Sequence, residues 1–179
     1  MITNAHQIEW IYEDLNINLD TLGCIMANMT PPEVDIPAEF EYYTSDPEKF
    51  WIKGVVTDKA HVTLKYGLLP GVKKTHVDEV LKDWGLTDVY KKELFVFDSP
   101  YDNEPYKCIV MAMESSSLSE ANALLSMLPN VCTFKDYVPH LTVAYVKEEH
   151  VDEAVKLINQ QTQSYHPEFI GLDYGGRVN

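Results

Sequence analysis

The sequence predicts an α+β fold on three observations. Apolar runs of strand length alternate with amphipathic stretches of helix length. The order strand–helix–strand occurs twice. The first strands of the two copies match almost residue for residue: His61-Val-Thr-Leu-Lys-Tyr66 against His140-Leu-Thr-Val-Ala-Tyr145. At 179 residues the whole chain reads as a single domain spanning 1–179.

The elements follow in order. Ile8, Ile11, Tyr12 and Leu15 give residues 1–20 helical spacing, a short amphipathic lead-in. Leu22–Met29 reads as an apolar strand, ended by Pro31-Pro32. Residues 31–58 are acidic and rich in Tyr and Pro; they are expected to form a mobile flap, with a short helix near Asp46–Lys53. The strand 61–67 leads to a helix from Thr75 to Trp84 that stops at Gly85, with Thr75 and Asp78 as a capping arrangement. Leu94–Phe97 and Tyr106–Met113 read as a hairpin across a polar loop. A helix Leu118–Leu128, a strand 139–146, a helix His150–Asn159 and a strand His166–Leu172 complete the chain. The repeat continues beyond the first strands: His76-Val-Asp-Glu-Val80 matches His150-Val-Asp-Glu-Ala154, and Glu93–Asp98 matches Glu168–Asp173 more loosely. Two copies are too few for a solenoid, so a duplicated domain with a shared cleft is expected.

Composition narrows the function. The chain is 45% hydrophobic and 23% charged, enough to build a core. No apolar run reaches the roughly 18–20 residues of a membrane span, and the N-terminus lacks the basic and apolar regions of a signal peptide; no membrane partner is expected. Three cysteines, Cys24, Cys108 and Cys132, without a C-x-x-C spacing fit reduced thiols and a cytoplasmic location. The net charge is −14 and Arg177 is the only arginine. Such a surface repels a long nucleic-acid backbone, so a small nucleotide held in one pocket is the expected partner.

Strand alternation puts His61, Thr63 and Lys65 on one face, and His140, Thr142 and Ala144 on the equivalent face of the second copy. One histidine on a half-buried strand is most simply structural. Two His-aliphatic-Thr-aliphatic runs at matched places in a repeat point to chemistry. Two imidazoles facing one phosphodiester divide the labour of in-line displacement: the neutral ring takes a proton from the attacking oxygen, and the imidazolium gives one to the leaving oxygen. Each Thr hydroxyl, two residues on, can donate to a non-bridging phosphate oxygen. This scheme needs no metal or other cofactor. A metal site, with Asp136 as a third ligand, is the competing reading.

These two motifs, with Pro139 before the second, resemble the signature of the 2H phosphoesterase superfamily. Its members include 2′-5′ RNA ligase-like enzymes, cyclic phosphodiesterases, and viral proteins that degrade 2′,5′-linked or cyclic second messengers. The resemblance runs from about Leu22 to Asp173. It implies a bilobal fold of two pseudo-symmetric βαβ-type lobes around a central cleft. It further implies His61 and His140 as the acid–base pair, with Thr63 and Thr142 as phosphate ligands. The charge balance departs from the RNA-processing branch and favours a cyclic or 2′,5′-linked small substrate. Small bacteriophage proteins that destroy host immune cyclic nucleotides are similar in size and layout; a viral protein of that kind would act in the host cytoplasm. The alternatives are a nucleotide sponge or adaptor that binds without cleaving, and an RNA-end-processing or ligase-like enzyme.

Secondary candidates for substrate binding are Lys65, Tyr66, Tyr145, Trp51 and Glu168. Lys65 shares the face of His61 by alternation, whereas Tyr66 and Tyr145 turn toward the core by the same rule. Trp51, with Tyr42 and Tyr43, lies in the flap and can stack on a base. Glu168 opens the last strand, where a carboxylate can meet a base edge. Lys147 and Arg177 can reach the rim, and His76 and His150 introduce helices and read as structural. Which histidine is acid and which is base stays open at this level.

Overall fold

The computed structural model describes residues 22–131 and 136–175. The expected amphipathic lead-in of residues 1–20, Cys132 and Arg177 lie outside them. Six strands form one sheet: β1 Gly23–Met29, β2 Ala60–Leu68, β3 Tyr90–Asp98, β4 Tyr106–Glu114, β5 His140–Lys147 and β6 Phe169–Gly175. Among the described residues three α-helices accompany them: α1 Lys74–Val80, α2 Ser116–Leu125 and α3 Val151–Gln161. The spatial order is β3-β4-β5-β2-β1-β6 and every pairing is antiparallel. The two motif strands therefore lie side by side at the centre.

Their contact is short. β2 and β5 pair through Val62 and Leu141, near the start of each strand, and then run on in opposite directions. Both residues are fully buried, as are Leu64 and Val143. With Ile25, Ile109, Met111, Leu118, Ala154 and Ile158 they form the core beneath the helices.

Strict alternation fails at the same place in both motif strands. The β1–β2 register skips Leu64, and the β4–β5 register skips Val143. Each skip is a β-bulge, in which two residues oppose one. Leu64 and Lys65 both turn inward, as do Val143 and Ala144. Two expectations are corrected by it. Lys65 leaves the face of His61: it is buried, and its Nζ donates to Ser126 Oγ at 2.9 Å, at the C-terminal end of α2, where the helix dipole favours a cation. Tyr66 and Tyr145 come out onto the histidine face instead of facing the core.

Residues 38–56 do not stand free as a flap. Tyr42 N–H donates to Tyr145 O, Tyr145 N–H to Gly54 O and Val56 N–H to Val143 O, each at 2.9 Å. The short helix near Asp46–Lys53 is a single 3-10 turn, Pro47–Lys49, capped by Asp46. The segment is tied at its far side by Glu104, whose carboxylate accepts from the Tyr42 and Thr44 hydroxyls. Gly54 has φ +66°, and a Cβ there would collide with the Glu41 and Tyr43 side chains, so glycine is required.

Other boundaries move. The first helix ends at Val80 rather than Trp84. Its N-terminus is held by His76 Nδ1, which accepts from Lys73 N–H at 3.0 Å, not by Thr75. Asp78 instead pairs with Lys74 at 2.6 Å and accepts from Tyr174. His150 stacks on Phe40 at 4.4 Å. The hairpin β3–β4 forms as expected, with longer strands. The looser repeat match is displaced by three residues: the ladders put Gly171, not Glu168, at the place of Glu93.

Leu141→Ala is expected to cost about 2–5 kcal/mol, because it removes the one β5 side chain paired with Val62; equilibrium denaturation measures it. Glu104→Ala is expected to free residues 38–56, seen as several-fold faster proteolysis within them while the rest of the sheet keeps its hydrogen-exchange protection.

Candidate active site

The four motif side chains converge by register. With Val62 and Leu141 pointing into the core, their neighbours on both strands point to the opposite face. Antiparallel pairing at Val62–Leu141 brings His61, Thr63, His140 and Thr142 onto one face, with the His61 side of β2 toward the Thr142 side of β5.

The histidines differ in surroundings. His140 Nδ1 lies 2.9 Å from Val138 O, so Nδ1 carries a proton that it donates to that carbonyl, and Nε2 is left for a ligand. Phe97 meets the ring edge-on at 5.8 Å. His61 keeps an exposed edge, yet it is held below the ordinary imidazole range, first by desolvation among its neighbours and then by the positive charge of His140, against an opposing effect from Asp173. The two rings thus sense each other electrostatically, and His61 is the one biased toward the neutral form.

The threonines also have matched neighbours. The Cys108 thiol lies 4.0 Å from Thr142 Oγ1, and Cys24 hydrogen-bonds to Thr63. Burial pushes both thiols up to about 11, so they stay protonated. Cys24 stands opposite Tyr66 and Cys108 opposite Tyr145, so the two halves correspond in register here as well. Tyr145 bonds to Thr142 and contacts Tyr106 edge-on at 5.1 Å; Tyr106 in turn meets Tyr42 at 5.6 Å. Tyr137 donates its hydroxyl to Thr63 O at 2.9 Å.

Of the secondary candidates, Tyr66 and Tyr145 share the motif face and Lys65 does not. Trp51 is 42% exposed and packs edge-on against Phe50 at 5.7 Å; no hydrogen bond or ring contact joins it to the motif strands among the described residues. Glu168 precedes β6, and its backbone pairs with Thr30 at the end of β1, away from the histidines. The residues missed from sequence are Phe97, Asp173 and Asn28. Their signal is the period-two pattern of β1, β3 and β6 relative to the motif strands, which becomes usable only with the register. No group of three or more His, Cys, Asp or Glu side chains arranged to hold a metal occurs among the described residues, and Asp136 does not complete one.

No protein-family model matches the chain, and no curated protein matches it in sequence.

Asp173→Asn is expected to lower the His61 pKa further, because it removes the one charge that raises it. His140→Ala is expected to raise it. NMR titration of the imidazole resonances reads both.

Proposed function

We propose that this chain is a metal-independent phosphodiesterase that acts on small cyclic or 2′,5′-linked nucleotides in a cleft between two pseudo-symmetric lobes of the 2H type. The observation that carries the reading is the crossed His–Thr arrangement about Val62–Leu141. Two unlike imidazoles and two hydroxyls grouped about one backbone pair suit a single in-line displacement at one phosphorus.

In this reading His61, biased neutral, is the general base. It takes the proton from the attacking oxygen, either water or the neighbouring ribose hydroxyl. His140 is the general acid. A carbonyl at Nδ1 suits an imidazolium, and its Nε2–H protonates the leaving oxygen as the P–O bond breaks. Thr63 and Thr142 donate to the non-bridging oxygens as negative charge grows on them. The net charge of −14 supports a small substrate over a polynucleotide.

The test is incubation with 2′,3′-cyclic AMP, 2′,5′-linked diadenylate and cyclic diadenylate, with products identified by mass spectrometry. Cleavage in EDTA supports the proposal; a requirement for a divalent ion overturns the mechanism. Recovery of intact nucleotide from a tight complex would instead identify a sponge. His61→Ala and His140→Ala are each expected to lower kcat about 10²–10⁴-fold with the fold retained. The pH–rate profile is expected to fall on the acid side as His61 takes up a proton, below the usual imidazole range. Asp173→Asn is expected to shift the acid limb to lower pH.

A further inference from the structure

Asn28 is the buried polar side chain on the histidine face that the proposed chemistry leaves unused. It lies on β1, opposite His61 on one side and Gly171 of β6 on the other. Its strand neighbours Ala27 and Met29 belong to the core, so its amide points to the same face as the His61 ring. It is 6% exposed, and its amide makes no hydrogen bond among the described residues. Buried amides are nearly always bonded, and one that is not calls for a ligand or a water.

Two further observations show that the fold itself does not need an amide there. The ladders place Ala112 at the equivalent position opposite His140, where a methyl group suffices. Beyond Asn28, a Cβ built on Gly171 would meet nothing within 4 Å; in the other half Glu93 holds the corresponding place. Beside His61 there is thus an unspent donor–acceptor pair next to open space, and only on that side.

We propose that Asn28 is a recognition residue: its amide binds a donor–acceptor pair on the nucleoside lying on the His61 side of the phosphate, with Gly171 leaving room for that nucleoside. This rests on the function proposed above. Two parts of a nucleoside present such a pair: an amino-bearing base edge, such as the N6/N7 edge of adenine, which an Asn amide matches with two bonds, and the free ribose hydroxyl.

The experiment measures binding by titration calorimetry in the His140→Ala background, which keeps the ligand intact. Three probes are used: 2′,5′-linked diadenylate, its analogue with both adenines replaced by unsubstituted purine, and its analogue lacking free ribose hydroxyls. Asn28→Ala is expected to weaken diadenylate binding about tenfold, the size of a lost pair of neutral hydrogen bonds. Its thermal midpoint should stay unchanged or rise, because an unbonded buried amide has been removed. If the base edge is read, the penalty vanishes with the purine analogue; if the hydroxyl is read, it vanishes with the deoxy analogue. Gly171→Val is expected to weaken all three probes by filling the open space. Equal affinity for every probe with and without the Asn28→Ala substitution overturns the proposal. So does a fall in the thermal midpoint with a uniform loss across probes, which marks a structural amide. Failure of the His140→Ala protein to bind diadenylate overturns it too, while cleavage of another nucleotide by the unsubstituted protein would leave the phosphodiesterase reading intact.

Discussion

One backbone contact, the pairing of Val62 with Leu141, determines where everything on the histidine face stands. It occurs near the start of both strands, so only the residues flanking it on each strand can be shared between the halves. Those residues are the histidines and threonines. The bulges two residues further along each strand then rotate the chain. Without them Lys65 and Ala144 would occupy the face that Tyr66 and Tyr145 occupy. Sterics beneath the sheet enforce this, since Leu64 and Val143 fill the core at the skipped positions.

Around that centre the two halves of the sheet differ. The outer strand beyond His140 presents Phe95 and Phe97 at the places where the strand beyond His61 presents Asp173 and Gly175. One histidine thus stands by an aromatic edge and the other within reach of a carboxylate. Two chemically equal rings would compete for one proton. Unequal surroundings bias His61 toward the neutral form, as the proposed division of acid and base roles requires.

Much of this is legible in the sequence because it depends on local pattern. The repeat of His-aliphatic-Thr-aliphatic identifies both motif strands, and period-two alternation correctly puts His61 with Thr63 and His140 with Thr142. It fails at Lys65, Tyr66 and Tyr145, since a bulge leaves no mark in a run of apolar and mixed residues and is set by packing against neighbouring strands. Residues 38–56 look mobile from their composition. Their anchorage depends on Glu104, distant in sequence, and on backbone groups of β5 that no side-chain pattern reveals. Asn28 carries no such signal because its meaning is positional: only the β1–β2 and β1–β6 registers place it beside His61.

The short tether between His140 and its own backbone has a further consequence. The acceptor for Nδ1 is Val138 O, two residues earlier, and the intervening Pro139 is buried with its carbonyl accepting from Met113 N–H at 2.8 Å. Proline has one backbone torsion already set by its ring, so the imidazole and its acceptor form a stiff, self-contained loop. The entropy of aiming that ring is lost when the chain folds, not each time a ligand arrives. In the proposed reaction an arriving phosphate would meet a preorganised dipole, with little reorganisation between encounter and proton transfer.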